Sequence, residues 1–255
     1  MVKSFLQTGV CAAAASVLAA PSALGADIAA SVGVEATTGD FGAAANTDIL
    51  IASADVEVSN ERWALRFSVP YIWVDGPTEF IGPVFQQGGA VSEPFRTEGV
   101  GDVLVTASRF FLFPASRTVV DLSASVKLPT ADEDAFLGTG EPDVGVSVDV
   151  LKDFDILTVT AGIGYTVSGK SDIVDVQNRA RLSVGAFRTF ANGMRAGLVG
   201  DVREPVLAGL DDVKEISLYG SAPIGERVSV IGYALTGFSD TSPDVGGGLR
   251  LVARF

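Results

Sequence analysis

The sequence has no histidine, and its one cysteine, Cys11, lies near the amino terminus. These absences exclude any disulfide bond within the chain, most metal sites and most nucleophile–base pairs. Basic residues are few, 18 against 31 acidic ones, and the net charge of −13 argues against nucleic acid as a partner. After residue 25, no segment reaches the roughly 18 consecutive apolar residues of a membrane-spanning helix.

Apolar residues, by contrast, are abundant. The 255 residues are 47% hydrophobic and only 19% charged, with a mean hydropathy of +0.37. These values are too apolar for a disordered chain and high for a soluble enzyme. The length allows one large domain or two small ones.

The first 25 residues have the layout of a secretory signal peptide. Lys3 precedes an apolar stretch from Phe5 to Ala20, and the small-residue site Ala23-Leu24-Gly25 follows. Cys11 has no lipobox before it, which argues against a lipoprotein. An uncleaved membrane anchor is the alternative, but the stretch is short for one. We expect cleavage after Gly25, and therefore two regions: a signal peptide (1–25) and an exported domain (26–255).

Beyond the signal peptide, apolar and polar residues alternate with a period of two, as in Val120–Leu128 and Val144–Val150. This alternation predicts strands with one apolar and one polar face. Each predicted strand is long enough for a tilted membrane strand. The twelve strands fall near 27–38, 47–58, 62–73, 100–112, 117–129, 142–151, 155–168, 175–189, 193–204, 213–222, 226–237 and 244–255.

The connections alternate between short turns and longer loops, which is typical of bacterial outer-membrane barrels. The predicted loops are 39–46, 74–99, 130–141, 169–174, 205–212 and 238–243. Lipid offers no hydrogen-bond partners, so strands can cross it only as a closed ring. We therefore predict an all-β fold, a transmembrane antiparallel up-and-down β-barrel of about twelve strands.

Aromatic residues stand where an interfacial belt requires them. They are Trp63, Tyr71, Trp73, Phe110, Phe111 and Phe113. Arg109 falls on the apolar side of its strand, and we expect it to snorkel to the membrane rim. The terminal Phe255 is similar to the C-terminal signal that the barrel-insertion machinery reads; a plain last strand is the alternative.

Several motifs resemble those of a family of outer-membrane transporters named for the meta-pathway of phenol degradation. They are Arg66–Tyr71, Gly101-Asp102-Val103, Lys127–Asp132, Leu137–Gly140 with Asp143, Gly164-Tyr165 with Gly169-Lys170, and Ser242-Pro243-Asp244 with Gly246. The resemblance covers most of the chain after the signal peptide. It implies uptake of aromatic or other small hydrophobic compounds.

The alternation also assigns charged residues to the lumen. The pore-lining candidates are Arg66, Asp102, Asp121, Lys127, Asp149, Arg179, Arg181, Arg195, Arg203 and Arg250. Glu35, Asp55, Glu57, Asp201, Glu215 and Arg254 are expected to face inward as well. Because the last strand is expected to pair with the first, Arg250 and Arg254 should face Glu35 and its neighbours. One hypothesis sets the arginines against an acidic wall across a narrow wet pore. In the alternative, the charges pair and plug the lumen. The loop 74–99 either enters the mouth or stays at the surface.

Two motifs that suggest chemistry lack its context. Residues 164–171 match the P-loop pattern, but a strand follows where a phosphate-binding helix is required. The acids around Gly138-Thr139-Gly140 are compatible with weak Ca²⁺ or Mg²⁺ binding, but a solvated loop explains them better, since no calcium-loop pattern is present. Without histidine, we expect no enzyme, no catalytic residues, no cofactor and no metal.

The sequence thus predicts passive uptake of small molecules, with aromatic or hydrophobic solutes as candidates, through the outer membrane of a Gram-negative bacterium. Its expected partners are those solutes, outer-membrane lipids and the insertion machinery. A plugged barrel with a structural or surface-binding role is the alternative. An exported lipocalin-like binder is a third hypothesis, supported by the alternation only.

Overall fold

The computed structural model describes residues 27–43, 45–77, 80–81, 85–86, 94–170, 175–207 and 209–255. The predicted signal peptide, the P-loop residue Ser171 and residues 78–79, 82–84 and 87–93 of the predicted loop 74–99 lie outside these residues. Within the described part of the chain, no helix is both long and apolar enough to cross a membrane.

The described chain is built almost entirely of antiparallel strands. In chain order they are β1 (Asp27–Gly39), β2 (Thr47–Ser59), β3 (Trp63–Pro77), β4 (Phe80–Ile81), β5 (Phe85–Gln86), β6 (Pro94–Val100), β7 (Val103–Phe113), β8 (Thr118–Leu128), β9 (Asp143–Asp153), β10 (Thr158–Val167), β11 (Arg179–Thr189), β12 (Arg195–Arg203), β13 (Val213–Pro223), β14 (Val228–Gly237) and β15 (Val245–Arg254). A single 3₁₀ turn, Pro114–Ser116, joins β7 to β8.

The sheet closes on itself because the first and last strands pair. β1 pairs with β2 on one edge and with β15 on the other, in a register that sets Ala29 opposite Arg254. Every other strand of the ring pairs with its neighbours in the chain. The backbone groups of the ring are therefore satisfied within the protein, as a lipid environment requires. The predicted closed antiparallel barrel is confirmed.

One stave of the ring is interrupted. β6 pairs with the upper part of β3 from Tyr71 to Pro77, and β7 pairs with its lower part from Trp63 to Ser68. The break lies at Gly101-Asp102, and β6 and β7 together occupy one strand position beside β3. The thirteen-stranded sheet therefore forms a barrel with twelve strand positions, which we call staves. The prediction of one strand at 100–112 missed β6, and β3 extends four residues beyond the predicted end at residue 73. Both ends of the predicted loop 74–99 are therefore strands: its first residues belong to β3 and its last residues belong to β6.

The outer face of the ring is apolar and exposed. Val32, Ile163 and Leu218, which lie on three different strands, are each about 60% accessible in the isolated chain. Exposure of so many large apolar side chains is unfavourable in water and favourable against lipid. The alternating apolar and polar residues of the sequence therefore correspond to the outer and inner faces of the barrel wall.

Apolar side chains also fill the interior near the end of the barrel that carries the short turns. Val199, Tyr219, Ile231 and Val252 form one cluster. Ala64, Phe110, Val119 and Leu151 form a second on the opposite side of the ring. Phe110 is 2% exposed, so its assignment to the lipid-facing belt was wrong, whereas Trp63, Phe111 and Phe113 face outward. The even position of Phe110 on β7 places it on the inner face with Ser108.

The two rims differ as expected. Short connections follow β2, β7, β9, β11 and β13, and both Asp27 and Arg254 lie at that rim. At the other rim, the loops after β1, β8, β10, β12 and β14 are longer. We call these the short-turn rim and the loop rim. β11 begins at Arg179 rather than at residue 175, which lengthens the loop before it.

A charge on the outer face should destabilise the barrel according to its depth. Leu218 lies at the middle of β13, and Ala222 lies near its short-turn end. We expect Leu218→Arg to lower the free energy of unfolding by about 2–4 kcal/mol and Ala222→Arg by about 0–1 kcal/mol, because the midplane solvates a cation worst. Denaturant titration in phosphatidylcholine vesicles measures both values. Equal losses at the two positions would contradict a membrane-embedded outer face.

Candidate functional site

The interior of the barrel carries the polar side chains that the strands turn away from lipid. Nine of the ten pore-lining candidates occupy inward positions of their strands, opposite in parity to the exposed apolar residues, and the tenth, Asp102, lies in the break between β6 and β7. The additional inward assignments, from Glu35 to Arg254, lie on the same face. Parity alone places these residues, because adjacent positions of a strand point to opposite faces.

One group of inward charges spans β15, β1, β2 and β3. Arg250 forms an ion pair with Asp55 across β1, and its other amino group donates to Ser53 Oγ at 3.1 Å. Ser31 Oγ also donates to Asp55, at 2.8 Å. On the next two strands, Arg66 pairs with Glu57. Arg250 was expected to face Glu35, but the aspartate two strands away is within its reach and is already held by Ser31.

A second group lies on β11, β12 and β13. Arg181 Nε pairs with Asp201 at 2.6 Å, and Arg203 bridges Asp201 at 3.0 Å and Glu215 at 2.8 Å. Both carboxylates are nearly fully buried. Buried carboxylates are stable when hydrogen-bonded cations neutralise them. The sequence analysis set the arginines of these strands against acids across the pore, but the acids that pair with Arg181 and Arg203 lie on the same group of strands.

The third group centres on Lys127 near the loop rim. Its Nζ lies 3.1 Å from Asp102 and 3.4 Å from Asp143, and it donates to Thr139 Oγ1 at 3.1 Å. Arg179 reaches Asp143 from the other side at 3.6 Å. Asp143 starts β9 with the same parity as Asp149, so the alternation was sufficient to find it. Lys127 therefore links the barrel wall to the loop that contains Thr139.

That loop, residues 129–142 between β8 and β9, folds into the mouth of the barrel; we call it the mouth loop. Leu137 is 2% exposed and packs against Ile49, Ile72 and Val74 of the wall. Asp102 Oδ1 accepts hydrogen bonds from the backbone N–H groups of Thr130 and Ala131, both at 3.0 Å. The sequence left open whether the loop 74–99 enters the mouth, and it overlooked the buried Leu137 as a signal for the loop 129–142.

The mouth loop is also tied to the stave that β6 contributes. Thr97 Oγ1 donates to the carbonyl of Ala135 at 2.8 Å. A Cβ at Gly99 would lie 2.7 Å from Leu137 Cδ1, so glycine leaves the space that the leucine occupies. The mouth loop is therefore a packed constriction at the loop rim.

Two inward carboxylates face each other outside these three groups. Asp121 and Asp149 are directly opposite each other on β8 and β9. Ser123 Oγ donates to Asp121 at 3.0 Å and shares a 2.7 Å hydrogen bond with Ser108. Within the described residues, no lysine or arginine forms an ion pair with either aspartate, and Arg66 and Arg181 attract them only from a greater distance. We call this patch of acids and hydroxyls unbalanced because it has no directly paired cation.

The opposed-wall hypothesis therefore needs correction. Five of the seven inward arginines pair with acids on their own strand or on a strand one or two positions away, so the arginines do not form a wall of one sign opposite the acids. Arg195 lies apart from these groups, 6.0 Å from the centre of the Phe187 ring. In the Asp121–Asp149 patch, two facing carboxylates have no direct ion pair.

The structure offers little for catalysis or metal binding. No three His, Cys, Asp or Glu side chains come together as a metal site among the residues that are described. In the mouth loop, Asp132 Oδ1 accepts a hydrogen bond from the N–H of Asp134 at 3.0 Å, so this acid shapes a turn. Gly164–Val167 of the P-loop-like motif belong to strand β10, which is the wrong context for phosphate binding.

Comparison with known proteins is consistent with this architecture. A family model described as "Putative MetA-pathway of phenol degradation" matches residues 24–206. The fold is similar to that of an outer membrane channel from Pseudomonas putida F1, with a TM-score of 0.72 and 14% identity over 91% of this chain and 96% of that one. No curated protein matches the chain.

Two other solved barrels are similar at lower scores. KdgM porin has a TM-score of 0.52 and 12% identity, over 88% of this chain and 99% of that one. The translocator domain of the autotransporter NalP from Neisseria meningitidis has 0.50 and 10%, over 91% and 88%. At these identities the likeness concerns the fold, which is that of an outer-membrane β-barrel.

Loss of the Lys127 contacts should release the mouth loop. We expect Lys127→Met to remove about 1–3 kcal/mol of stabilisation from the closed loop, because it eliminates the hydrogen bond to Thr139 and the ion pairs to Asp102 and Asp143 at the base of the loop. Limited chymotrypsin digestion of the folded protein measures this release, since Phe136 and Leu137 lie within the loop. Cleavage there should accelerate at least about fivefold. Lys214→Met, which removes an outward cation, is the control. Equal cleavage rates in the two variants would refute the idea that Lys127 holds the mouth loop closed.

Proposed function

The chain belongs to the MetA-pathway phenol-degradation family, and on this basis we propose that it is an outer-membrane channel for the passive uptake of small molecules. The observation that carries the proposal is the inner face of a closed ring, on which ion pairs, serines and the unbalanced Asp121–Asp149 patch replace the apolar residues of the outer face. A wet, polar interior is the property that lets solutes cross a membrane through a barrel.

The solutes that we propose are small aromatic or hydrophobic molecules. Support comes from the mouth, where Leu137 meets Ile49, Ile72 and Val74. These side chains are buried against one another, so a solute contacts them only when the mouth loop is displaced. Apolar contacts of this kind favour aromatic and aliphatic solutes over sugars. The family description points to the same chemical class.

We propose no catalytic role for the barrel. Histidine is absent from the sequence, and most of the inward carboxylates are either paired with arginine or lysine or hydrogen-bonded to serine. The ten inward candidates are therefore proposed as a lining that selects solutes by charge and size.

A plugged barrel with a structural or surface-binding role is the second candidate. Its support is the filling of the interior by two apolar clusters near the short-turn rim and by the mouth loop near the other rim. Twelve staves lie between the filled eight-stranded barrels and the open sixteen-stranded porins. Permeation measurements distinguish the two candidates.

Export and assembly follow from the same proposal. Residues 1–25 would direct export and be removed, which leaves 26–255 in the outer membrane of a Gram-negative bacterium. Phe255 is 68% exposed, and its N–H donates to the carbonyl of Ile28 on β1 at 2.9 Å. This accessible ring at the closing seam fits recognition by the barrel-insertion machinery.

Liposome swelling tests the uptake proposal. Proteoliposomes are compared with protein-free vesicles on zwitterionic aromatic amino acids, aromatic acids and sugars of similar mass. We expect the aromatic amino acids to permeate faster than the sugars, because they carry no net charge and gain apolar contacts at the mouth. Sugars as fast as the aromatic amino acids would reject the apolar specificity, and the absence of swelling with every solute would favour the plugged barrel.

The Asp121–Asp149 patch should set ion preference. In planar bilayers with a salt gradient, we expect the protein to prefer cations, and Asp121→Asn with Asp149→Asn to reduce the reversal potential to about half or less, because the unbalanced carboxylates attract cations into the lumen. Asp48→Asn, at an outward position of β2, is the matched control. An unchanged reversal potential in the double variant would exclude the patch as the selective element.

A further inference from the structure

The outer wall of the barrel carries few charges, and their signs divide by rim. Near the loop rim, the outward strand positions hold three acids and two bases: Asp48, Asp75, Glu98, Arg96 and Lys214. Asp75 and Arg96 neutralise each other there in an ion pair. Near the short-turn rim, the outward strand positions hold only cations, which are Arg109, Lys152 and Arg188.

Each of these three cations lies over an aromatic ring. The guanidinium carbon of Arg109 is 4.6 Å from the centre of the Trp63 ring and 5.4 Å from that of Phe111. Lys152 Nζ lies 5.8 Å from the ring of Phe154. The guanidinium carbon of Arg188 lies 5.3 Å from the ring of Phe190. The three pairs sit on β7, β9 and β11, so they form an arc around one side of the short-turn rim; we call it the cationic arc.

No carboxylate neutralises the arc from within the barrel. Among the described residues, none of the three cations forms an ion pair; Lys152 donates one hydrogen bond, to the carbonyl of Ser116. Aromatic faces attract a cation but leave most of its hydrogen-bond donors unused. At the edge of a membrane such donors need a polar partner, because unpaired charge is costly there.

The rings themselves fix the depth of the arc. Trp63, Phe111, Phe154 and Phe190 are all exposed on the outer face. Exposed aromatic rings at the end of a membrane barrel lie at the level of the lipid headgroups. The cations above these rings are therefore held at the level of the lipid phosphates.

We propose that the cationic arc is a binding surface for anionic phospholipid headgroups, with Arg109, Lys152 and Arg188 as the phosphate ligands. The short-turn rim is the periplasmic rim of outer-membrane barrels, so the lipids are those of the inner leaflet. Arginine suits the role because its planar fork donates two parallel hydrogen bonds to a phosphate. The opposite side of the same rim, from β13 through β15 to β1, has no outward strand cation, so binding is confined to one flank.

The experiment measures lipid composition next to the protein. The full chain without its signal peptide is folded into vesicles of phosphatidylcholine with a minority of phosphatidylglycerol. It is then extracted with its surrounding lipid in polymer-bounded discs, and the lipids are quantified by mass spectrometry. We expect phosphatidylglycerol to be enriched about threefold over the bulk vesicle, since each basic residue near a membrane surface attracts anionic lipid. Raised salt should reduce the enrichment.

Variants assign the effect to the arc. Arg109→Gln, Lys152→Gln and Arg188→Gln combined should return the disc composition to that of the bulk vesicle. The control is Arg96→Gln with Lys214→Gln, which removes the outward cations of the loop rim and should leave the enrichment unchanged. Folding of every variant is checked by its heat-modifiable mobility on gels. If the triple variant does not fold, the three single variants decide, and each should lose part of the enrichment.

Two results would overturn the proposal. One is wild-type protein surrounded by lipid of bulk composition. The other is enrichment that persists in the triple variant, or in all three single variants, or that disappears equally in the loop-rim control. Neither result bears on solute permeation, so the lipid surface and the channel are tested separately.

Discussion

Satisfaction of backbone hydrogen bonds in a medium without water is the constraint on which the rest of this structure depends. It forces the chain into a ring, and the ring separates an outer from an inner face at every strand. Apolar residues then gather outside and polar ones inside. The ion pairs, the mouth loop and the cationic arc are all consequences of where the alternation of the sequence places a side chain relative to that wall.

Much of the architecture could be read from the sequence, because a period of two is a direct record of the two faces. The parity of Arg66, Lys127 and Arg181 was sufficient to assign them inward. Parity says nothing about partners, however. Arg250 reaches Asp55 rather than Glu35, because strand register and side-chain length, and not the facing direction, decide which acid is within range. The misplacement of Phe110 has the same origin, since three phenylalanines near one turn suggested a belt although their parity differs.

Loops were the least predictable part. Alternation is lost there, and the mouth loop was recognisable only through Leu137 among acidic residues. Its inward fold depends on contacts with β2, β3 and β6, which are distant in sequence. The interior that results is polar but locally neutral, so its character comes from the few groups left outside the ion pairs.

The seam between β1 and β15 has a consequence for how the protein is made. β15, which completes the ring, is synthesised after all the other strands of the ring, so until then the sheet has two unpaired edges. Exposed strand edges invite pairing with other chains. The ring is consequently complete only when its first and last strands, which are distant in sequence, pair with each other.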